Sequence, residues 1–161
     1  MTACFQAAFD RSPSPYARCD RMTATPRAIE LAVAAAEAAA DKLAHNIQVF
    51  DVSDRLVITD VFVLASAPND RQVKSIVDAV EDRLRELGAK PASREGQHEG
   101  RWVLLDYSDV VVHVQHTEEH TFYGLERLWK DCPQVPLPAS VTDGLRQLDA
   151  ESFDSRAAAR T

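Results

Sequence analysis

Residues 100–116, reading GRWVLLDYSDVVVHVQH, constrain the fold more than any other stretch of this chain. Two runs of strand-forming residues, Trp102 to Leu105 and Val110 to Val112, flank Asp106-Tyr107-Ser108-Asp109. β-Branched and aromatic side chains suit a pleated, half-buried surface, and aspartate favours turns by bonding to its own backbone. The stretch therefore predicts two antiparallel strands joined by a tight turn. An isolated hairpin is marginal in water, so further strands and a covering layer must bury its apolar face.

Those elements can be read on either side. Thr25-Pro26 opens a helix, with threonine as N-cap and proline where a missing N–H costs nothing. Ile29, Val33, Ala36, Ala40 and Leu43 follow as one apolar stripe. Residues 47–51 alternate as a strand, and the near-continuous apolar run over 60–66 suits an interior strand covered on both faces. Asn69 can cap a second helix, with Gln72 placed as in a capping box. Val73, Ile76, Val77, Val80, Leu84 and Leu87 form its buried face, and Gly88 ends it in a left-handed cap. Its other face, Arg71, Lys74, Asp78, Glu81, Asp82 and Arg85, reads as solvated.

Residues 90–100 are polar and loop-like, and a helix over about 118–129 is expected to pack Phe122, Leu125 and Leu128 or Trp129. Pro133, Pro136 and Pro138 then end regular structure, and Val141, Leu145 and Leu148 allow one more short helix that Gly144 weakens. The expected fold is α/β: a small single domain, with a mixed four- to five-stranded sheet flanked by helices and two helical crossovers. The domain is expected over residues 25–131, after a disordered extension at 1–24 and before a proline-rich, partly disordered tail at 132–161. Met22, just ahead of the first helix, is the expected translation start if the first twenty-one residues are not a disordered extension.

A chain of 161 residues, 45% hydrophobic, has room for one real core. Its formal charge of −7 argues against naked nucleic acid and for a basic protein as partner. Three scattered cysteines suggest neither a disulfide framework nor a zinc site, and fit reduced thiols in the cytoplasm. The alanine-rich run over 29–40 is too short and too polar to span a bilayer.

Reactive centres are hard to find. His113, His116 and His120 have no common helix, and two ligands without a third do not make a catalytic zinc site. Asp106 and Asp109 read as turn formers before they read as paired carboxylates. Cys132 has no sequence cue for a base, and no glycine-rich phosphate loop occurs. Trp102 and Tyr107, at the ends of one strand, belong to the residue types that anchor protein interfaces.

Four linked blocks carry a resemblance. They are DVFVLAS at 60–66, NDRQV at 69–73, GRWVLLDYSDVVVHV at 100–114 and FYGLERLW at 122–129. In order and spacing, the chain from about Ala28 to Trp129 resembles the ribosomal silencing factor, or Iojap-like, family. The resemblance implies a fold similar to nucleotidyltransferases without their catalytic site, hence no enzyme activity, cofactor or metal. It implies binding to the large ribosomal subunit through ribosomal protein L-fourteen, steric block of subunit joining when nutrients are scarce, and a homodimer when free. Carried onto this chain, the partner surface would comprise Trp102, Leu104, Asp106, Tyr107, Asp109 and His113. Trp102 and Tyr107 would be its apolar anchors. The family commonly has glycine where this chain has Ala67 and Ser108, which puts the hairpin turn type in question. A large-subunit assembly factor would use the same surface. A nucleotidyltransferase-like enzyme would instead need Asp106, Asp109 and magnesium.

Overall fold

The computed structural model describes residues 23–96 and 100–146. Helix α1 (Pro26–Asp41) leads into strands β1 (His45–Asp51) and β2 (Val61–Ala67), then helix α2 (Asp70–Glu86). Strands β3 (Ser93–Glu95), β4 (Trp102–Asp106) and β5 (Val110–His116) follow, then helix α3 (Thr117–Tyr123) and a 3-10 turn at Leu125–Arg127. The strands form one mixed sheet in the order β1-β2-β5-β4-β3, with β2 parallel to β5 and the other neighbours antiparallel. β3 therefore runs parallel to β2, and α2 between them is the one helical crossover among the described residues. Two were expected; α1 precedes the first strand and crosses nothing.

Side-chain alternation sends one set of residues to the helices and the other to the far face. Val49, Val63, Ala65, Val103, Leu105, Val112 and Val114 join α1 and α2 in the main core. α1 presents mostly alanine there: Ala28, Ala32, Ala35, Ala36 and Ala39 are at most 1% exposed. The larger residues of the expected stripe lie at its margin, with Ile29 and Val33 only partly buried and Leu43 well exposed. Alanine leaves no bulk between helix axes, so α1 can sit close against α2 and the sheet.

Both helices start as their sequences predict. Thr25 accepts a hydrogen bond from the Ala28 N–H, and Asn69 accepts one from the Gln72 N–H at 2.8 Å. Gln72 does not complete a capping box. Its amide instead donates to the carbonyls of Lys42 and Leu43, both at 2.9 Å, satisfying acceptors at the end of α1. α2 ends in a Schellman cap: Gly88, at φ +79°, donates to Arg85, and Ala89 donates to Leu84. Glu81, expected in solvent, is 7% exposed and pairs at 2.7 Å with Arg94 of β3. Burial raises its pKa, against the opposing pull of Arg94.

β3 lies in the segment expected to be loop. Its three residues are polar and sit at a sheet edge, so backbone pairing with Leu104–Asp106 makes the strand without any apolar alternation to announce it. The 118–129 helix is also revised. Gly124 adopts a left-handed conformation (φ +53°) that stops α3 at Tyr123. Phe122 and Leu128, expected to be packed, are 80% and 61% exposed. Packing continues past residue 131: the Asp51 N–H donates to Pro133, the Val135 N–H donates to Val49, and Cys132, Val135 and Val141 are buried. Residues 139–146 are helical despite Gly144. The expectations for residues 1–22 and for Leu148 lie outside the described residues.

The hairpin turn holds Ser108 at φ +70°, a region that non-glycine residues enter at a cost. The Asp106 carboxylate accepts the Ser108 N–H at 2.7 Å, and this fixes the turn locally. Replacing Ser108 with glycine is expected to raise stability by up to about 1 kcal/mol, because strain relief exceeds glycine's entropic cost. Urea unfolding would measure it; equal or lower stability would mean that the serine turn is unstrained.

Candidate protein-docking site

Strand register arranges the far face of the sheet in rows. Phe50, Phe62, Val111 and Asp106 make one, Leu64, His113 and Leu104 the next, and Ser66, Gln115 and Trp102 a third. At the β1–β2 end this face is covered. Phe50, Val52, Leu64 and Cys132 form a second small core, with Leu56, Phe62, Leu125 and Trp129 packed against it. Over β4 and β5 the cover is incomplete, and Trp102, Leu104, Asp106 and Val111 stay partly exposed.

At the boundary lies a cavity of about 280 Å³ lined by Trp102, His113, Gln115, Glu119, Tyr123 and Leu125. His113 stands edge-on to the Phe62 ring at 6.4 Å and to the Trp102 ring at 5.9 Å. Burial pushes its pKa down to about 4, so the imidazole is neutral at pH 7. Gln115 is 1% exposed and its amide nitrogen lies 3.0 Å from His120 Nδ1. The outer wall belongs to α3, which buries none of its own residues. Arg101 ties this helix to the start of β4, bonding Glu119 at 2.6 Å and Glu118 at 3.1 Å. Phe122 and Tyr123 stand out from it as an edge-to-face pair, 5.0 Å apart.

The structure sorts the expected contact residues. Trp102, Leu104 and Asp106 share the open face, and Asp109 is exposed at the hairpin turn. His113 forms the floor beneath Trp102 rather than a projecting contact. Tyr107 is a correction. The residue after Asp106 turns to the opposite side, and its ring is 7% exposed in the main core, so it cannot serve as a surface anchor. Burial raises its pKa to about 12, and nearby Glu81 adds to the effect. Phe122, Tyr123 and Leu128 went unrecognised as surface aromatics and aliphatics; Gly124, inside their run, was the signal that the helix would break there.

Chemically, this face offers apolar area rimmed by carboxylates. The Asp106 carboxylate is engaged in its turn, and among the described residues no three His, Cys, Asp or Glu side chains gather as metal ligands would. No described helix is long and apolar enough to cross a membrane.

Comparison with known proteins agrees with this arrangement. The family model described as ribosomal silencing factor during starvation matches residues 25–161. A ribosomal silencing factor of Bacillus subtilis is 40% identical over 103 residues, covering 64% of this chain and 87% of that protein. The chloroplastic Iojap protein of Zea mays is 30% identical over 113 residues, which cover 68% of this chain and 48% of that protein. A solved structure from Chromobacterium violaceum superposes with a TM-score of 0.61 at 34% identity, covering 68% of this chain and 90% of its own. One from Bacillus halodurans gives 0.58 at 33%, covering 70% and 100%. With the match spanning the sheet, both long helices and the half-covered face, the chain belongs to the ribosomal silencing factor family.

Proposed function

We propose that this chain binds the large ribosomal subunit through ribosomal protein L-fourteen and blocks joining of the small subunit by occupying space. The observation that carries this reading is the open half of the sheet's far face. Trp102, Leu104 and Val111 are apolar side chains left partly exposed on the sheet, with Asp106 and Asp109 at the rim. An aromatic anchor inside a charged margin is how protein interfaces concentrate their affinity. The acidic balance of the chain suits the basic proteins of a ribosomal surface better than its phosphates. Such a mechanism needs affinity and bulk only, and a standard interface of about 800 Å² per partner suffices. The exposed Phe122 and Tyr123 are the natural place for the free protein to pair with a second copy.

Sedimentation of the purified chain with isolated subunits through a sucrose gradient tests the reading. Co-migration with the large subunit alone, with fewer joined ribosomes, is expected. Co-migration without loss of joining would point to an assembly role. Protein left at the top of the gradient at low and moderate salt would refute ribosome binding.

A further inference from the structure

Val57 and Ile58 stand side by side on the segment joining β1 to β2, 104% and 82% exposed. Two adjacent β-branched aliphatics in water are unusual at the tip of a loop that is well tied down. The N–H groups of Arg55 and Leu56 donate to the Val52 carbonyl at 2.9 and 2.8 Å, and the Val52 N–H donates to Asp60 at 2.8 Å. Leu56 packs into the second core, Thr59 is buried, and the Asp60 carboxylate accepts the Thr25 N–H at the start of α1. The segment is held on both flanks, while Val57 and Ile58 at its tip point away from the protein.

This tip adjoins the proposed docking face. The Asp109 carbonyl accepts the N–H groups of Asp60 and Val61, at 2.9 and 3.1 Å, which locks the segment to the hairpin turn. Asp54 and Asp60 belong to this segment, Asp109 is held against it by those bonds, and Asp131 lies 3.8 Å from Arg55, the one basic residue of the segment. We propose that Val57 and Ile58 form a second contact, an apolar plug with an acidic rim that enters a hollow on a basic protein surface. It continues the Trp102 face around the end of the sheet, and it rests on the ribosome-docking reading. Charge selects the occupant. Nucleic-acid phosphates and anionic lipid would meet the aspartates as like charges, and a second copy in a two-fold contact would set the same aspartates against themselves. A basic protein satisfies the rim and buries the plug together.

The double variant V57S/I58S tests this, since both side chains are outside the core and unfolding at the wild-type temperature is expected. Sedimentation with isolated large subunits should show binding at least about tenfold weaker, the scale of two apolar contacts withdrawn from an interface. D54K, which leaves the Trp102 face untouched, should also weaken it and should flatten the dependence on salt. Wild-type binding with an unaltered V57S/I58S variant would overturn the plug while leaving the docking reading intact. A wild-type chain that never sediments with the subunit would remove both. If V57S/I58S alone turned a wild-type dimer into a monomer, with subunit binding unchanged, the plug would belong to a second copy and the proposal would fail.

Discussion

Trp102→Ala is expected to weaken binding to the large subunit by about 2 kcal/mol or more, roughly 30-fold, while the domain stays folded. Trp102 is partly exposed on the open face and lies outside the main core, so its deletion removes anchoring area without opening that core. Its inner edge does have structural neighbours. It lies edge-on to His113, and a Cβ built on Gly96 would come within 2.6 Å of the ring, so the tryptophan leans directly on that glycine. Some stability will be lost with it, and the binding assay should be run well below the measured melting temperature. Tyr107→Phe is the matching control. The Tyr107 hydroxyl is buried without a hydrogen-bond partner, so its removal should leave subunit binding at the wild-type level. Loss of folding in Trp102→Ala would reassign that residue to the core. Equal binding by Trp102→Ala and wild type would displace the docking face from β4.

The second large effect is on stability against pH. His113 titrates near 6.5 when unfolded and near 4 when folded, because burial among Phe62, Trp102 and Leu104 disfavours the imidazolium. Between those values the unfolded chain binds a proton that the folded chain refuses, so stability falls as pH falls. From pH 7.5 to pH 5 the loss should be about 2 kcal/mol, approaching about 3 kcal/mol near pH 4. Other groups titrate in the same range, and Glu81, whose pKa is raised by burial, works in the opposite direction. Comparison with His113→Leu isolates the histidine: the variant should lose markedly less stability over that interval in urea melts. Parallel pH profiles for the two proteins would show that His113 takes up its proton in place.

Much of the architecture was legible from local chemistry. The hairpin announced itself because Trp102–Leu105 and Val110–Val112 are apolar, β-branched or aromatic runs around a turn rich in aspartate. α2 did so because its cap, its stripe and Gly88 agree with one another. Wherever pattern and packing coincide, one sequence is enough. It misled where they part. Gln72 fits a capping box, yet the end of α1 offers it two carbonyls. Glu81 sits on a charged face, yet β3 brings Arg94 over it. Both outcomes depend on residues far away in the chain.

The docking surface divides in the same way. Residue types and block order gave the family and singled out β4 as the strand proposed for contact, because those signals are contained in consecutive residues. Which of Trp102, Leu104, Asp106 and Tyr107 faces outward followed from strand alternation once the buried side was known. That side was set by where α1 and α2 packed, and it took Tyr107 into the core. How much of the far face stays open depended on tertiary structure alone. The segment after Gly124 folds back over Phe62 and Leu64 but stops short of Trp102, and a one-dimensional pattern contains no measure of where a covering segment ends.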